Sequence, residues 1–328
     1  PSDGQISEGA GIEGAGHADH DPDFDHLPVM ADEVLTLVAP LRAGTFLDAT
    51  LGGGGHAGLI LRHCPQLRVI GIDQDPAALE AASRRLVAFG GRFQFRRARF
   101  DELRAVLDGL EVRELSGFLF DLGVSSPQLD RADRGFSYRN DGPLDMRMDP
   151  SRPGSAADLV NQLDERSLAS MLRRNADERF AGRIARAIVA NRPFTTTTEF
   201  AAVVVDAIPA AARRTGGHPA KRTFQALRIE VNSELTILAP ALEAAIDVLM
   251  PGGRGLVLTY HSGEDRIVKD VIRGRSTSNI PPGLPVPATE GPEFEVLRPF
   301  ARRPTEAEQL RNRRASSARL RVVERVAA

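Results

Sequence analysis

The chain has 328 residues, of which 42% are hydrophobic and 26% charged, a composition typical of a soluble globular protein with one large domain or two modest ones. No apolar run approaches the ~18 residues of a membrane-spanning helix, and no secretory leader is visible, so a cytoplasmic protein is expected. The single cysteine, Cys64, excludes a disulfide framework and a cysteine-rich zinc site.

Charge is distributed unevenly along the chain, whose formal net charge is −2. Residues 1–33 hold nine acids and no lysine or arginine, so the rest carries +7, and nearly all of its positive charge is arginine. The planar guanidinium group suits phosphates and base edges. Two interpretations stay open, a nucleic-acid partner and an ordinary solvated surface.

The first residues are rich in glycine, aspartate and histidine and show no apolar periodicity. Residues 1–25 are therefore predicted to form a disordered acidic leader. His17, His20 and His26 lie beside several aspartates and could hold a metal ion. A solvated tail is the preferred interpretation, and no metal site is predicted.

A glycine turn organises the segment that follows. Thr45–Ala49 is a short apolar run that contains Asp48, and it precedes four consecutive glycines, Gly52–Gly55. His56 and the apolar residues after it can open a helix. This strand, turn and helix form the first half of a nucleotide-binding βαβ unit, in which glycines let the backbone approach a ligand.

The second half of the unit leaves two ligand classes open. Val69–Ile72 is a predicted buried strand, and Asp73 closes it about 20 residues after the glycines, where an acid typically binds ribose hydroxyls. Gly53–Gly58 matches the dinucleotide pattern G-x-G-x-x-G, a weak match within a run of glycines. Asp48 at the tip of the first strand would oppose a pyrophosphate and would favour a cationic amine, as in S-adenosylmethionine.

Two further strands end at candidate site residues. Arg92–Arg97 is a predicted strand, and Phe100 lies just past its carboxyl end, where the ring can stack on adenine or fill the core. Gly117–Phe120 is a predicted buried strand that ends at Asp121, a position that favours a role in the site over one as a capping acid.

The pattern then changes for roughly 100 residues, which is too long for an ordinary βαβ connection. Residues 122–153 are predicted to be a loop and irregular chain, and residues 156–208 to be helices only, with Thr198 as an N-cap. A basic cluster interleaved with Phe224 follows, consisting of Arg213, Arg214, His218, Lys221, Arg222 and Arg228.

Alternation of helices and strands resumes after the basic cluster. Leu235–Leu249 is a predicted helix that Gly252–Gly253 ends, Leu256–Tyr260 is a fifth strand, and Ser262 caps the next helix. The last predicted features are a proline-rich loop at Asn279–Pro287, strands at Phe294–Leu297 and Ala318–Val326, and an arginine-rich tail.

These elements predict an α/β, Rossmann-like doubly wound sheet with an all-helical domain inserted after the fourth strand. The sheet domain is assigned to residues 26–124 and 233–328. The inserted domain, with a predicted role in substrate recognition, is assigned to residues 125–232.

Long motifs then give the chain a family resemblance. The chain resembles the bacterial 16S ribosomal RNA cytosine-N4 methyltransferases, the RsmH or MraW family, from about His26 to Val326. The motifs are His26-x-Pro28-Val29, Gly52–His56, Asp121–Asp130, Arg134–Ser137, Asp141–Asp149, Arg222–Ala226, Val231–Leu235 and His261–Arg266. Gly263 departs from a usual leucine and Gly53 from a common arginine.

The resemblance implies a class I methyltransferase fold that uses S-adenosylmethionine to methylate N4 of cytidine 1402 of 16S rRNA in the small ribosomal subunit. It also implies a set of cofactor-site residues. Asp73 binds the ribose and Phe100 packs beside the adenine; the site is completed by Gly54, Gly55, His56, Asp121 and Gln128.

The expected chemistry centres on Asp121. The N4 amine of cytosine is a poor nucleophile, so a carboxylate that accepts its hydrogen bond would assist the transfer. The Pro-Pro-aromatic sequence common after this acid in amino-methylating enzymes is absent, and Phe136, Tyr138 or Tyr260 is expected to stack on the base.

Three other functions remain open from the residues. A DNA cytosine-N4 methyltransferase should carry the missing Pro-Pro-aromatic motif. An NAD-dependent oxidoreductase would have only His261 as an acid–base group near a strand end. A non-catalytic RNA-binding module would not need Asp48, Asp73 and the glycines together.

Overall fold

The structure, a computed structural model, describes residues 28–214, 217–277 and 292–326. The predicted acidic leader with its three histidines and the predicted loop at Asn279–Pro287 lie outside the described residues. No helix in the described ranges is long and apolar enough to cross a membrane.

Seven strands form one sheet in the order β3-β2-β1-β4-β5-β7-β6. The strands are β1 Gly44–Asp48, β2 Leu67–Asp73, β3 Phe93–Arg97, β4 Leu115–Asp121, β5 Leu249–Thr259, β6 Phe294–Val296 and β7 Arg319–Arg325. The first five strands are parallel, and β7 runs antiparallel between β5 and β6. The order reverses between β1 and β4, which makes the carboxyl ends of these two strands the expected ligand site.

Helices cover both faces of the sheet and fill the connection between β4 and β5. They are α1 Ala31–Val38, α2 Gly55–His63, α3 Pro76–Leu86, α4 Leu103–Gly109, α5 Ser126–Asp130, α6 Ala156–Gln162, α7 Glu165–Ala176, α8 Ala181–Ala190, α9 Thr197–Ala207, α10 Ala210–Arg213, α11 Lys221–Val231, α12 Glu234–Asp247, α13 Ser262–Arg275 and α14 Glu306–Arg311.

The sheet separates two apolar cores. Phe46 on one face packs with α1, α2 and α3, and Phe118 on the other face packs with α4, α12 and α13. Every residue of β4 from Leu115 to Phe120 is buried, as a central parallel strand covered on both faces requires. The predicted α/β, Rossmann-like doubly wound sheet is confirmed.

The helices α5–α11, called the helical segment below, have an apolar core of their own. Leu172, Ile184, Phe200 and Leu227 are fully buried in it. The prediction of helices alone over residues 156–208 is confirmed. The domain bounds at residues 125 and 232 stay a prediction.

Two predicted helix caps were displaced by one or two residues. Thr196, not Thr198, caps α9 and accepts a hydrogen bond from the Glu199 N–H, while the Thr198 hydroxyl binds Asp141 instead. His261, not Ser262, caps α13, because its Nδ1 accepts from the Gly263 N–H at 3.2 Å. Neighbouring side chains that can all cap are not distinguished by the sequence pattern.

The predicted bounds of two other elements were also wrong. Residues 126–130 form the short helix α5 within what the sequence predicted as loop. Gly252–Gly253 lies inside β5 rather than at the end of a helix, since α12 already ends at Asp247. The register of β5 against β4 shifts between Leu115 and Gly117, and the positive φ of 79° at Gly252 is compatible with such a bulge.

Substitution of Gly255 by alanine is predicted to destabilise the sheet. A Cβ at residue 255 would lie 2.2 Å from Cζ of the fully buried Phe118 ring. Because the core must then shift, the free energy of unfolding in urea should fall by about 1–3 kcal/mol. Gly274→Ala is the control: its Cβ would meet nothing within 4 Å in α13, so stability should be equal or higher. Equal stability of the two variants would contradict the packing argument.

Candidate active site

Three carboxylates converge at the carboxyl edge of the sheet. Asp48 on β1 lies opposite Gly71 of β2 and Leu119 of β4. Asp73 and Asp121 are each two residues further along those two strands, so they flank Asp48 on either side. The structure therefore brings together three acids that are separated in sequence, at the point where the strand order reverses.

Four backbone N–H groups in and just before the glycine turn are used within the protein. Gly52 N–H donates to Oδ2 of Asp73 at 2.8 Å, and Thr50 N–H donates to Oδ1 of Asp48 at 3.3 Å. Leu51 N–H donates to the Ile72 carbonyl, and Gly54 N–H donates to the Leu51 carbonyl. These four donors are therefore unavailable to cradle a pyrophosphate.

Asp48 ends the strand that leads through the glycine turn into helix α2. The backbone amide of Ala57, in the first turn of that helix, lowers the pKa of the buried Asp48 carboxylate, although burial raises it by more. In dinucleotide-binding folds a phosphate occupies this place. Here a side chain of the protein already supplies the negative charge.

Burial raises the pKa of Asp48 and Asp73 well above the usual value of an aspartate. Asp48 is 1% exposed, and loss of hydration, reinforced by the charges of Asp121 and Asp73, raises its pKa to about 7. Loss of hydration also raises the pKa of Asp73 to about 6, against the opposing effect of its hydrogen bonds from Asp75 and Gly52 N–H. A cationic ligand group beside them would favour the ionised forms.

Asp121 has defined partners on both carboxylate oxygens. Tyr260 donates its hydroxyl to Oδ1 at 2.6 Å, and Nδ1 of His56 lies 3.6 Å from Oδ2. The Asp121 N–H also donates to Oγ1 of Thr50 at 2.6 Å, which ties the end of β4 to the glycine turn. Burial raises the pKa of Asp121, while His56 and Tyr260 oppose that rise. The carboxylate is 26% exposed and can still reach a ligand.

His56 and the two glycines before it also serve the packing of α2. His56 is 6% exposed, and its Nε2 lies 3.0 Å from the Val29 carbonyl. A Cβ on Gly54 would lie 2.9 Å from Leu86, and one on Gly55 would lie 2.9 Å from Pro28. The glycines are therefore needed for close packing of the helix, and their direct contact with a cofactor stays a prediction.

Gln128 lies in a buried brace beside the site. Its Nε2 donates to Oδ2 of Asp75 at 3.0 Å, and its Oε1 accepts from Ser125 N–H at 2.9 Å. Arg134 donates to the same Asp75 oxygen at 2.8 Å. Since Asp75 N–H also donates to Asp73 at 2.9 Å, the brace fixes the acid at the end of β2. A direct contact of Gln128 with a cofactor stays a prediction.

Phe100 lies just past β3, as the sequence indicates, and is neither fully buried nor fully exposed. Its ring packs edge-on against Phe120 with 5.6 Å between the centroids. One part of the ring therefore contacts the core and another part remains accessible to solvent.

The three aromatic candidates for base stacking differ in position. Phe136 is 5% exposed within the core of the helical segment. Tyr138 stacks on His218 with 4.3 Å between the ring centroids. Tyr260 alone of the three contacts Asp121, which makes it the candidate nearest the expected chemistry.

A buried ionic network behind Tyr260 was not predicted from the sequence. Oε2 of Glu264 accepts from Tyr260 N–H at 2.7 Å, and Oε1 of Glu264 lies 3.0 Å from Nε2 of His261. Arg228 of the helical segment lies 4.0 Å from the same Oε1 and pairs with Glu234 at 2.8 Å. The one sequence signal was that Glu234 lies in the Val231–Leu235 motif and that His261 and Glu264 lie in the His261–Arg266 motif.

Several arginines of the basic cluster and the tail bind other groups of the protein. Arg228 pairs with Glu234, Arg213 donates to the Ile208 carbonyl at 2.7 Å, and the Phe224 ring is buried. In the tail, Arg321 is 4% exposed and pairs with Asp265. These side chains are occupied by the protein itself and add less to a basic surface than their number suggests. Among the described residues no three histidine, cysteine or acidic side chains form a metal-binding group.

Asp48 is predicted to make the stability of the ligand-free protein depend on pH. Its pKa is raised from 3.8 to about 7 on folding, so between these values the folded state retains a proton that the unfolded state has lost. Stability should therefore fall as pH rises through this window, by up to ~1.4 kcal/mol per pH unit. Urea unfolding at several pH values should show a shallower fall for Asp48→Asn.

The exposed Asp108, which pairs with Arg104 on α4, provides the control. The Asp108→Asn variant should follow the wild-type pH profile. Parallel profiles for the wild type and Asp48→Asn would refute the assignment of a raised pKa to Asp48.

Comparisons with known proteins agree with this geometry. A profile of the MraW methylase family matches residues 23–326. "Ribosomal RNA small subunit methyltransferase H" of Mycobacterium sp. (strain KMS) is 51% identical over 314 residues, 93% of this chain and 85% of that protein. The proteins of the same name from Renibacterium salmoninarum and Thermobifida fusca are 51% and 52% identical, over 92% of this chain in both cases and 95% and 93% of those proteins. The chain belongs to the MraW methylase family.

Proposed function

We propose that the protein transfers a methyl group from S-adenosylmethionine to N4 of cytidine 1402 in the 16S rRNA of the small ribosomal subunit. The observation that carries the proposal is the convergence of Asp48, Asp73 and Asp121 around a glycine turn. Family membership over nearly the whole chain supports the reaction class, and the relatives' name supports a small-subunit rRNA substrate. Action on a ribosomal substrate implies a cytoplasmic location.

The residues at the sheet edge fit S-adenosylmethionine better than a dinucleotide. Carboxylates suit its ammonium and sulfonium groups and its ribose hydroxyls, whereas a pyrophosphate would be repelled. Asp73 is assigned to the ribose, since two backbone donors already orient its oxygens. Asp48 is assigned to the cationic end of the ligand, and the accessible part of the Phe100 ring to the adenine.

The proposed catalytic residue is Asp121. When bound, S-adenosylmethionine supplies a methyl group activated by its sulfonium. The protein has to hold the cytosine N4 in line with that methyl and to accept hydrogen bonds from the amine as positive charge develops on it. Tyr260 donates a hydrogen bond to Oδ1 of Asp121, so the amine is assigned to Oδ2, which lies at the longer distance of 3.6 Å from Nδ1 of His56. The pKa of Asp121, raised by burial, makes the carboxylate a better acceptor.

The RNA must present one splayed base to this carboxylate. The helical segment, which follows β4 directly, is assigned to substrate recognition, with exposed cations such as Arg214 and Arg222 contacting the backbone. A DNA methyltransferase and a non-catalytic RNA-binding module are weaker candidates. An oxidoreductase is disfavoured as well, because His261 caps α13 and lies against Glu264.

Mass spectrometry of rRNA nucleosides tests the proposal. Wild-type protein should add N4-methylcytidine at position 1402 of small-subunit RNA from a strain that lacks the enzyme. Asp121→Asn should lower the rate at saturating RNA by at least ~100-fold, because a neutral amide is a poorer acceptor, and Tyr260→Phe should lower it less. The control variant Asp108→Asn should act like the wild type. Transfer to another atom or to DNA would disprove the proposal.

Calorimetry is the matching test of the cofactor assignment. Asp73→Ala should weaken binding of S-adenosylmethionine by ~1–3 kcal/mol through lost charged hydrogen bonds, and NAD should give no binding heat. Asp108→Ala should leave the affinity unchanged. Equal affinity of Asp73→Ala and the wild type would remove Asp73 from the cofactor site.

A further inference from the structure

A cleft of about 240 Å³ lies beside the active site, between the helical segment and the sheet domain. One wall comes from the end of α7 and from α11, and the other from the start of α12 and of α13. His261 contributes to the second wall and directly follows Tyr260. Since consecutive Cα atoms are about 3.8 Å apart, the cleft begins one residue from the side chain that holds Asp121.

The cleft is lined by more positive than negative charge. Arg174, Arg222 and Arg266 lie on its walls, and Asp177 is the one acid among its lining residues within the described ranges. Arg174 is paired with Glu230 at 2.8 Å and so contributes little net charge. Arg222 and Arg266 therefore determine the positive charge of the cleft.

Neither Arg222 nor Arg266 is neutralised by a carboxylate. Arg222 donates to the backbone carbonyl of Asp177 at 3.1 Å, a bond that orients the guanidinium group but leaves its charge unbalanced. Arg266 is exposed on α13 and has no hydrogen bond or ion pair with any described residue. Arg222 and Arg266 come from opposite walls of the cleft, so an anion between them would contact both the helical segment and the sheet domain.

The lining also offers neutral hydrogen-bonding groups. The Ser262 hydroxyl and the Gln225 amide face the same space, and neither is bonded to another residue in the described parts of the chain. Two guanidinium groups with neutral donors between them match an ionised phosphodiester. A large apolar ligand would leave these groups unpaired.

We propose that this cleft, the Arg222–Arg266 cleft, binds a phosphate of the RNA strand next to the target nucleotide. The proposal rests on the proposed function, because it takes the substrate to be RNA and the reacting base to lie at Asp121. A phosphate held between the helical segment and the sheet domain would fix the RNA strand next to His261 and Tyr260. The base at Asp121 could then be splayed out without loss of register.

RNA binding by single and double variants tests this site. Arg222→Ala and Arg266→Ala should each weaken binding of a small-subunit rRNA fragment about tenfold at low salt. Each should also reduce the slope of log Kd against log salt by about 0.7, the value for one lost phosphate contact on a single strand. Lysine at either position should restore the salt slope more fully than the affinity, because it keeps the charge but loses the planar fork.

Arg68→Ala is the matched control. Arg68 is an exposed arginine near the amino end of β2, at the opposite edge of the sheet. It should bind RNA with wild-type affinity and salt slope, and all variants should bind S-adenosylmethionine as the wild type does. An equal loss in Arg68→Ala and the cleft variants, or wild-type salt slopes in the cleft variants, would overturn the proposal. If wild-type protein methylates no rRNA at all, the proposed function fails; if it methylates and the cleft variants bind normally, only the cleft assignment fails.

Discussion

The bond between Gly52 N–H and the Asp73 carboxylate is the contact on which the ligand choice of this fold depends. A glycine turn between a strand and a helix normally offers its N–H groups to a phosphate. Here Asp73 accepts from Gly52 N–H and Asp48 accepts from Thr50 N–H, while Leu51 and Gly54 donate to backbone carbonyls. The same backbone that could cradle an anion is thereby turned into an anionic site. Burial raises the pKa of Asp48 and Asp73, and the positive charge of a bound cationic ligand would lower it again. Ligand binding and ionisation of the two carboxylates therefore favour each other.

A second constraint links the position of Tyr260 and Asp121 to the position of the helical segment. Glu264 receives the N–H of Tyr260 and lies near Arg228, which belongs to α11. Glu264 is 3% and Arg228 15% exposed, and charges buried this far need good partners to offset their lost hydration. The position of α11 is therefore linked to Tyr260, and through the Tyr260 hydroxyl to Asp121. Movement of the helical segment would therefore shift Asp121 through this chain of contacts.

The strands, their order at the glycine turn and the acids at their tips could be predicted because each depends on local pattern. For example, the apolar run Gly117–Phe120 followed by Asp121 predicts a buried strand that ends at an acid, and β4 is such a strand. What could not be predicted depends on partners far apart in the chain. Nothing in the spacing of Arg228 and Glu264 reveals that they meet, and nothing near Gln128 reveals that Asp75 accepts its amide. The predicted capping residues of α9 and α13 were wrong for a local reason, since several adjacent side chains could each accept the capping hydrogen bond.

The arginine content illustrates how an excess of charge can mislead. The excess of +7 outside the first 33 residues suggests a broad surface for nucleic acid, but many guanidinium groups join parts of the protein. Arg97 binds Asp149 and Arg134 binds Asp75, which fastens the irregular chain after β4 over the ends of β2 and β3. Arg321 performs a similar task between β7 and α13. Arginines that serve as internal connectors add little to RNA affinity, so the placement of the exposed cations matters more than the total number of arginines. Two such groups on facing walls of a cleft that includes His261, the residue after Tyr260, would contribute register as well as affinity, which a diffuse basic surface could not provide.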